Sequence, residues 1–201
     1  CIVMRRRLRR SGQAPQAPPR DSGVRGPGRL PPGRGGGKAL PMDTPGFAIR
    51  RATAADHPAL RQTIRALNAC EEQISRDRDE SEAAAAACLD ALLRRLAGGG
   101  AAFVADAGGE VIGHLFCVVE DAPPHVRAPF RRQAVIADAF VVEPWRGRGV
   151  FRALLATADA HARAAGCRRM LIGVLSGNAR AERAYRAAGF RPYAADLIRD
   201  L

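Results

Sequence analysis

No stretch of the chain reaches the ~18–20 consecutive apolar residues that a membrane-spanning helix needs. The arginine cluster near the N-terminus lacks the following apolar run of roughly 7–15 residues that marks a secretory signal. Its proline and glycine content also argues against the amphipathic helix of an organelle transit peptide. The five cysteines (Cys1, Cys70, Cys88, Cys117, Cys167) are odd in number, widely spaced and contain no C-x-x-C. Neither a disulfide framework nor a zinc site is therefore expected, and the thiols read as buried side chains in a reducing cytoplasm. His57, His114, His125 and His161 also lack metal-ligand spacing, so no metal is expected.

What the sequence does have is charge. A net +12 and an isoelectric point near 11.1 would ordinarily direct attention to nucleic acid or an anionic surface. Its distribution changes that reading. Residues 1–41 carry ten Arg or Lys side chains against the single acid Asp21, a net of +9, which leaves +3 for residues 42–201. The same segment holds eight glycines and seven prolines and almost no large apolar side chains, so it cannot bury enough surface to offset its ordering entropy. Residues 1–45 are therefore expected to form a disordered Arg/Pro/Gly-rich leader ahead of one domain over 46–201, a division that suits 201 residues. Three readings stand for the leader: upstream sequence included by a misplaced start, since Cys1 opens the chain and Met42 precedes the domain; a solvated tail; or a polybasic arm. An arm without interleaved aromatics would have little specificity for nucleic acid.

From Phe47 onward, strand and helix signals alternate, which favours an α/β layered domain. A short strand at Phe47–Ala52 precedes a helix that Asp56 can cap, with Leu60, Ile64 and Leu67 on one face. A polar cluster, Glu71–Glu80, leads to Ser81 and an Ala-rich helix ending at Leu96, before Gly98–Gly100. Ala101–Ala105 and Val111–Val119 flank the Gly108–Gly109 turn, a hairpin signal. An Arg- and Pro-rich loop, Glu120–Gln133, precedes an apolar strand over Ala134–Val142. A helix near Val150–Ala165, a strand at Met170–Val174, a helix at Ala179–Ala188 and a last strand near Arg191–Ile198 complete the expectation.

The informative stretch runs from the apolar strand through Glu143, Pro144 and Trp145 into Arg146-Gly147-Arg148-Gly149 and the next helix. Strand, glycine loop and helix N-terminus can together bind a phosphate. Glycine admits close backbone approach, the first N–H groups of the helix point at the anion, and arginine offers paired donors. An ordinary glycine turn with solvated arginines reads equally well from this segment alone. Gly149 is not followed by Lys-Ser or Lys-Thr, which excludes a P-loop, and the sixth position from Gly147 is Arg152, which excludes a dinucleotide fingerprint.

A second pattern lies downstream: Asn178-x-x-Ala181-x-x-x-Tyr185-x-x-x-Gly189-Phe190. Together the two resemble the GNAT acetyltransferase superfamily over roughly Phe47 to Leu201. Arg146 and Gly149 match its pyrophosphate loop, and Asn178, Ala181, Tyr185, Gly189 and Phe190 match its second motif. Two departures stand out: Phe151 occupies the loop's final small-residue position, and Pro144 lies two residues before Arg146, where the family commonly has it three before.

The resemblance implies a mixed, largely antiparallel sheet with a splayed strand pair and helices on both faces. It also implies acetyl-CoA as cosubstrate, no metal, and a cytoplasmic N-acetyltransferase acting on a primary amine of a small molecule or peptide. Cofactor-binding positions carried over are Ala139, Phe140, Val141, Arg146, Gly147, Arg148, Gly149, Val150, Phe151 and Asn178. The backbone N–H of Ala139 is the implied oxyanion donor, and Asn178 either caps the last helix or meets the pantetheine arm. Tyr185 is the implied general acid, or else a packing tyrosine. Asp138 is the leading candidate base, with Glu120 and a water relay behind it, because apolar surroundings raise a carboxylate's proton affinity. Asp138 could equally pair with an arginine. The acidic segment Glu71–Glu82 either attracts a cationic amine or is a solvated loop, and Pro123–Arg132 either covers the acceptor site or is a passive insertion. A membrane is not an expected partner, nor is nucleic acid, while a homodimer is compatible with the family. The competing functions are a non-catalytic acyl-CoA-binding module and a nucleic-acid binder acting through the basic leader.

Overall fold

The computed structural model describes residues 46–200, and the expected leader lies outside the described residues. In chain order the elements are β1 (Ala48–Arg51), α1 (His57–Ser75), α2 (Glu82–Arg95), β2 (Ala101–Ala107), β3 (Glu110–Asp121), β4 (Arg132–Val141), α3 (Val150–Ala164), β5 (Met170–Ile172) and α4 (Ala179–Ala187). The five strands form one sheet in sequence order, antiparallel from β1 to β4 and parallel between β4 and β5.

Two apolar clusters pack on opposite faces of this sheet, as the helix and strand periodicities require. On one face Leu154, Leu155, Ala158 and Ala162 of α3 meet Phe103, Leu115, Cys117 and Ile136. On the other, Leu60 and Ile64 of α1 and Leu89 and Leu92 of α2 meet Val104, Phe116, Val118 and Ala137. Ser81 starts α2 by accepting a hydrogen bond from the Ala84 N–H at 3.1 Å. Gly98 and Gly100 follow it where backbone must pass close to β3: a Cβ on Gly100 would lie 2.6 Å from the Cys117 carbonyl oxygen.

Asp56 does not cap α1 through its side chain. Its carboxylate instead accepts from the Thr53 N–H at 2.7 Å and from both terminal nitrogens of Arg50 at 2.8 Å. Arg50 also donates to Asp106 through Nε and Nη2. Thus β1, β2 and the start of α1 share one ion cluster. Helix α1 also runs farther than the sequence suggested, taking in Glu71 and Glu72 and ending where Arg76 adopts a left-handed backbone.

Two features of β4 shape the cleft. Pairing with β5 covers only Ala134–Ile136, so the two strands part beyond Ile136. At the same place the β3–β4 register shifts between Phe116 and Cys117, giving β4 one extra residue. A bulge of this kind bends a strand and breaks its two-residue alternation. Ile136 packs with α3, yet Asp138 pairs with Phe116 and hydrogen-bonds His114 on the α1 side. Strict alternation would have put both residues on the α3 face.

The expected strand near Arg191–Ile198 does not form. Residues 190–200 have no regular structure, with Leu197 and Ile198 almost fully exposed.

Candidate active site

The parting of β4 and β5 opens a cleft of about 810 Å³ bounded by α1, the β4–α3 loop, the first turns of α3, and α4. Asp138, Ala139, Phe140, Val141, Arg146, Gly147, Gly149, Val150, Phe151, Asn178 and Tyr185 all line it. Of the expected cofactor-binding positions, Arg148 alone is outside this lining, and its guanidinium stacks 5.4 Å from the centre of the Trp145 ring.

The loop has the local form an anion site needs. Gly147 (φ 74°) and Gly149 (φ 83°) occupy the left-handed region, and Gly149 is the N-cap of α3. An added Cβ at either glycine would meet nothing within 4 Å, so the space above the loop is open to a ligand. Helix geometry leaves the first-turn N–H groups of α3, at Val150, Phe151 and Arg152, without carbonyls four residues back, and glycine brings no capping side chain. These donors and the positive end of the helix dipole fit a pyrophosphate.

Arg146 takes another part. Its Nε donates to the Val141 carbonyl at 2.9 Å, and the guanidinium lies 5.4 Å from the centre of the Phe140 ring. It therefore ties the loop back to the end of β4 and engages a carbonyl on that strand. Beyond the β5 pairing, the outer edge of β4 at Ala137–Val141 faces the cleft, where an extended amide chain could hydrogen-bond. Asn178 caps α4, its side-chain oxygen accepting from the Ala181 N–H at 3.1 Å.

Tyr185 stands on α4 with its ring 5.5 Å from Phe151 and 6.2 Å from Phe190. Gly189, at φ 90°, lets the chain turn back so that the Phe190 N–H donates to the Tyr185 carbonyl at 3.0 Å. Burial, reinforced by the charges of Asp138 and Glu71, pushes the phenol up to about 12. It therefore holds its proton throughout the neutral range.

Asp138 is buried on the opposite wall, with Oδ1 2.8 Å from His114 Nε2. His114 Nδ1 in turn lies 2.8 Å from the Thr63 hydroxyl of α1. Among the described residues, His114 is the side chain that hydrogen-bonds Asp138. Sequence inspection had no signal for this chain, because residues 63, 114 and 138 are brought together only by the bulge and by the docking of α1.

Other expectations separate clearly. Glu120 lies toward the far end of β3, beside Arg95 at 3.5 Å and Gln133 at 3.3 Å, and is not part of the cleft wall. The Pro123–Arg132 loop does not line the cleft either. Within the acidic segment, Glu71 is a buried cleft residue bonded to Arg78 at 2.9 Å, while Glu72 accepts from the Arg78 N–H. The four described cysteines are free; Cys117 and Cys167 are buried as expected, but Cys70 is exposed at the cleft. Among the described residues, no helix is long and apolar enough to cross a membrane.

Comparison with known proteins agrees with this architecture. No curated protein sequence matches the chain. Among solved structures, a GCN5-related N-acetyltransferase from Ralstonia eutropha JMP134 aligns with a TM-score of 0.61 at 22% identity, over 77% of this chain and 98% of that one. The aminoglycoside N-acetyltransferase AAC(6')-Iy, solved with CoA, aligns at 0.59 and 20% identity, over 77% and 94%. A protein from Bacillus halodurans C-125 described as a transcriptional regulator aligns at 0.60 and 18%, over 77% and 99%. At these identities the likeness concerns the fold. The profile of the acetyltransferase (GNAT) family matches residues 61–190, well over half of the chain, and the protein belongs to that family.

Proposed function

We propose that the protein is an acetyl-CoA-dependent N-acetyltransferase that moves an acetyl group to a primary amine of a small molecule or peptide by direct attack on the thioester. The observation that carries the reading is the convergence in one cleft of an open anion loop at the start of α3, the stretch of β4 beyond its pairing with β5, Tyr185 and Asp138. Acetyl-CoA would supply the activated acyl group.

In this reading the N–H groups from Gly147 to Phe151 hold the pyrophosphate, and the β4 edge at Ala139–Val141 holds the pantetheine arm. Arg146 fixes the loop against β4, and Arg148 adds cationic charge from the rim. The Ala139 N–H stabilises the oxyanion formed when the amine attacks the carbonyl carbon. Asp138 takes a proton from the incoming amine, freeing its lone pair. Tyr185 gives its phenolic proton to the departing sulfur and regains one from the nitrogen as the amide forms, so the net release is the single proton taken by Asp138. A free thiol has pKa ~8.5 against ~10 for a free phenol, so donation from a phenol pushed up further requires the sulfur to gain negative charge as the C–S bond breaks. That couples proton transfer to bond cleavage.

The test is thiol release from acetyl-CoA with a panel of primary amines, with mass spectrometry of the products. Amine-dependent release with acetylated product is expected. Acetyl-CoA binding without release for any amine would favour the binding-module reading.

A further inference from the structure

Helix α1 turns one stripe toward the cleft. Leu67, Cys70 and Glu71 line it, and Ile74 continues the same face at the i, i+3, i+4, i+7 spacing of a helix. At the end of that stripe Ile74 Cγ2 lies 3.5 Å from where a Cβ would stand on Gly177, so the last turn of α1 meets the β5–α4 loop beside the cleft. Val174 and Leu175 of that loop belong to the lining, as does Phe140 of β4. Ile74 and Val174 are 36% and 40% exposed, large aliphatic side chains left in water at the rim of a pocket. Apolar groups gathered around a concave site suit the apolar part of a ligand.

Charge on this side of the cleft is largely matched within the protein. The carboxylates that α1 and β4 contribute to the lining are Glu71 and Asp138. Against them stand two guanidinium groups: Arg78, bonded to Glu71 at 2.9 Å, and Arg146, whose Nη2 lies 3.9 Å from Cys70 Sγ on α1. The acids that follow Glu71 in the chain, Glu72, Asp77, Asp79, Glu80 and Glu82, lie outside the lining. Glu72 accepts from the Arg78 N–H, Asp77 from Arg78 Nη1, Asp79 from the Ser81 N–H and Glu82 from Arg61 Nε. They hold the α1–α2 connection in place, and an acceptor with several positive centres meets none of them in the cleft.

We infer that the acceptor is a hydrophobic monoamine: one ammonium nitrogen, delivered to Asp138, on a compact apolar body that rests against Ile74, Val174 and Leu175. The inference rests on the acetyltransferase reading of the cleft, and it narrows the acceptor to an alkylamine or arylalkylamine against a polyamine or aminoglycoside. Burying a charge is costly unless it is paired, so each further ammonium of a polycation enters this cleft at a loss. An apolar body gains instead by covering the two exposed aliphatic side chains.

The first test is kcat/KM for a panel of amines with acetyl-CoA in the full chain: phenylethylamine, hexylamine, ethylamine, spermidine and an aminoglycoside. One methylene in an apolar pocket is typically worth about tenfold or more in discrimination. Phenylethylamine and hexylamine should therefore exceed ethylamine by at least about tenfold, and both should exceed the two polycations. Ile74→Ser and Val174→Ser, each at an exposed position, should each reduce the phenylethylamine-to-ethylamine ratio by about threefold or more. A preference for spermidine or the aminoglycoside, or a ratio that neither substitution changes, would overturn the inference while leaving the transfer itself intact.

A second readout does not depend on turnover. Calorimetric titration of the full chain with coenzyme A present should give phenylethylamine an affinity about tenfold above that of ethylamine. That difference in a protein that acetylates no amine would fault the proposed function and keep the apolar pocket. Equal affinities would overturn the pocket whatever the turnover.

Discussion

The ring of Phe151 lies 5.5 Å from that of Tyr185, tilted by 38°, so the first turn of α3 helps to hold the phenol. A small residue at position 151 would leave that side of the ring open. The aromatic side chain that departs from the family's loop pattern is thus, in this protein, a support for the proposed acid. Aromatic pairs of this kind contribute about 0.5–1.5 kcal/mol beyond their buried area. Phe151→Ala is expected to lower kcat by about tenfold, an effect of that order, with little change in acetyl-CoA affinity. Steady-state kinetics with a direct binding titration would check this; equal kcat would mean that Phe151 only fills space.

Gly149 tests the anion loop. Its left-handed backbone as N-cap of α3 would cost an L-residue about 1–2 kcal/mol, while its Cβ would project into space free of protein atoms. Gly149→Ala should therefore fold with a modest loss of stability and bind coenzyme A at least tenfold more weakly. Calorimetric titration reads the affinity and thermal melting the stability. Unchanged affinity would move the pyrophosphate away from this turn.

The Arg50–Asp56–Asp106 cluster makes a claim about acid stability. Arg50 holds the Asp56 carboxyl far below the ordinary carboxylate range, the side-chain hydrogen bonds being the main cause. A depressed carboxylate contributes stability in full above its unfolded pKa of ~3.9, and the contribution fades as pH falls through the folded value. Asp56→Asn should cost about 1–3 kcal/mol at pH 7, discounted for the part-exposed guanidinium, and the gap to wild type should narrow below pH ~4. Denaturant unfolding at pH 7 and pH 3 would check it; a gap that does not narrow would assign the effect to neutral hydrogen bonds.

Much of this architecture was legible because its determinants are local. The Gly108–Gly109 turn forms the β2–β3 hairpin, Ser81 caps α2, and the Arg146–Gly149 loop opens α3. Tyr185 and Asp138 could be nominated from a spaced motif and a strand position, and both line the cleft. The Thr63–His114–Asp138 chain was not legible: it depends on a one-residue bulge that turns Asp138 toward α1, and nothing in the alternation of Ala134–Val142 signals where that bulge falls. Glu71 was read as part of a loop because its charge masks an α1 position, although Arg78 offsets that charge. Arg191–Ile198 carries apolar residues at strand spacing but pairs with no strand among the described residues, and the segment stays irregular and exposed.

The most direct test of amine acetylation in this cleft is the turnover of Tyr185→Phe beside the wild type, measured as thiol released from acetyl-CoA in the presence of an accepted amine. General acid catalysis contributes typically 10²–10⁴-fold, so kcat is expected to fall by about a hundredfold or more with acetyl-CoA affinity nearly intact. Turnover equal to wild type would contradict the assignment of Tyr185, and absence of amine-dependent release from the wild type itself would contradict the acetyltransferase reading.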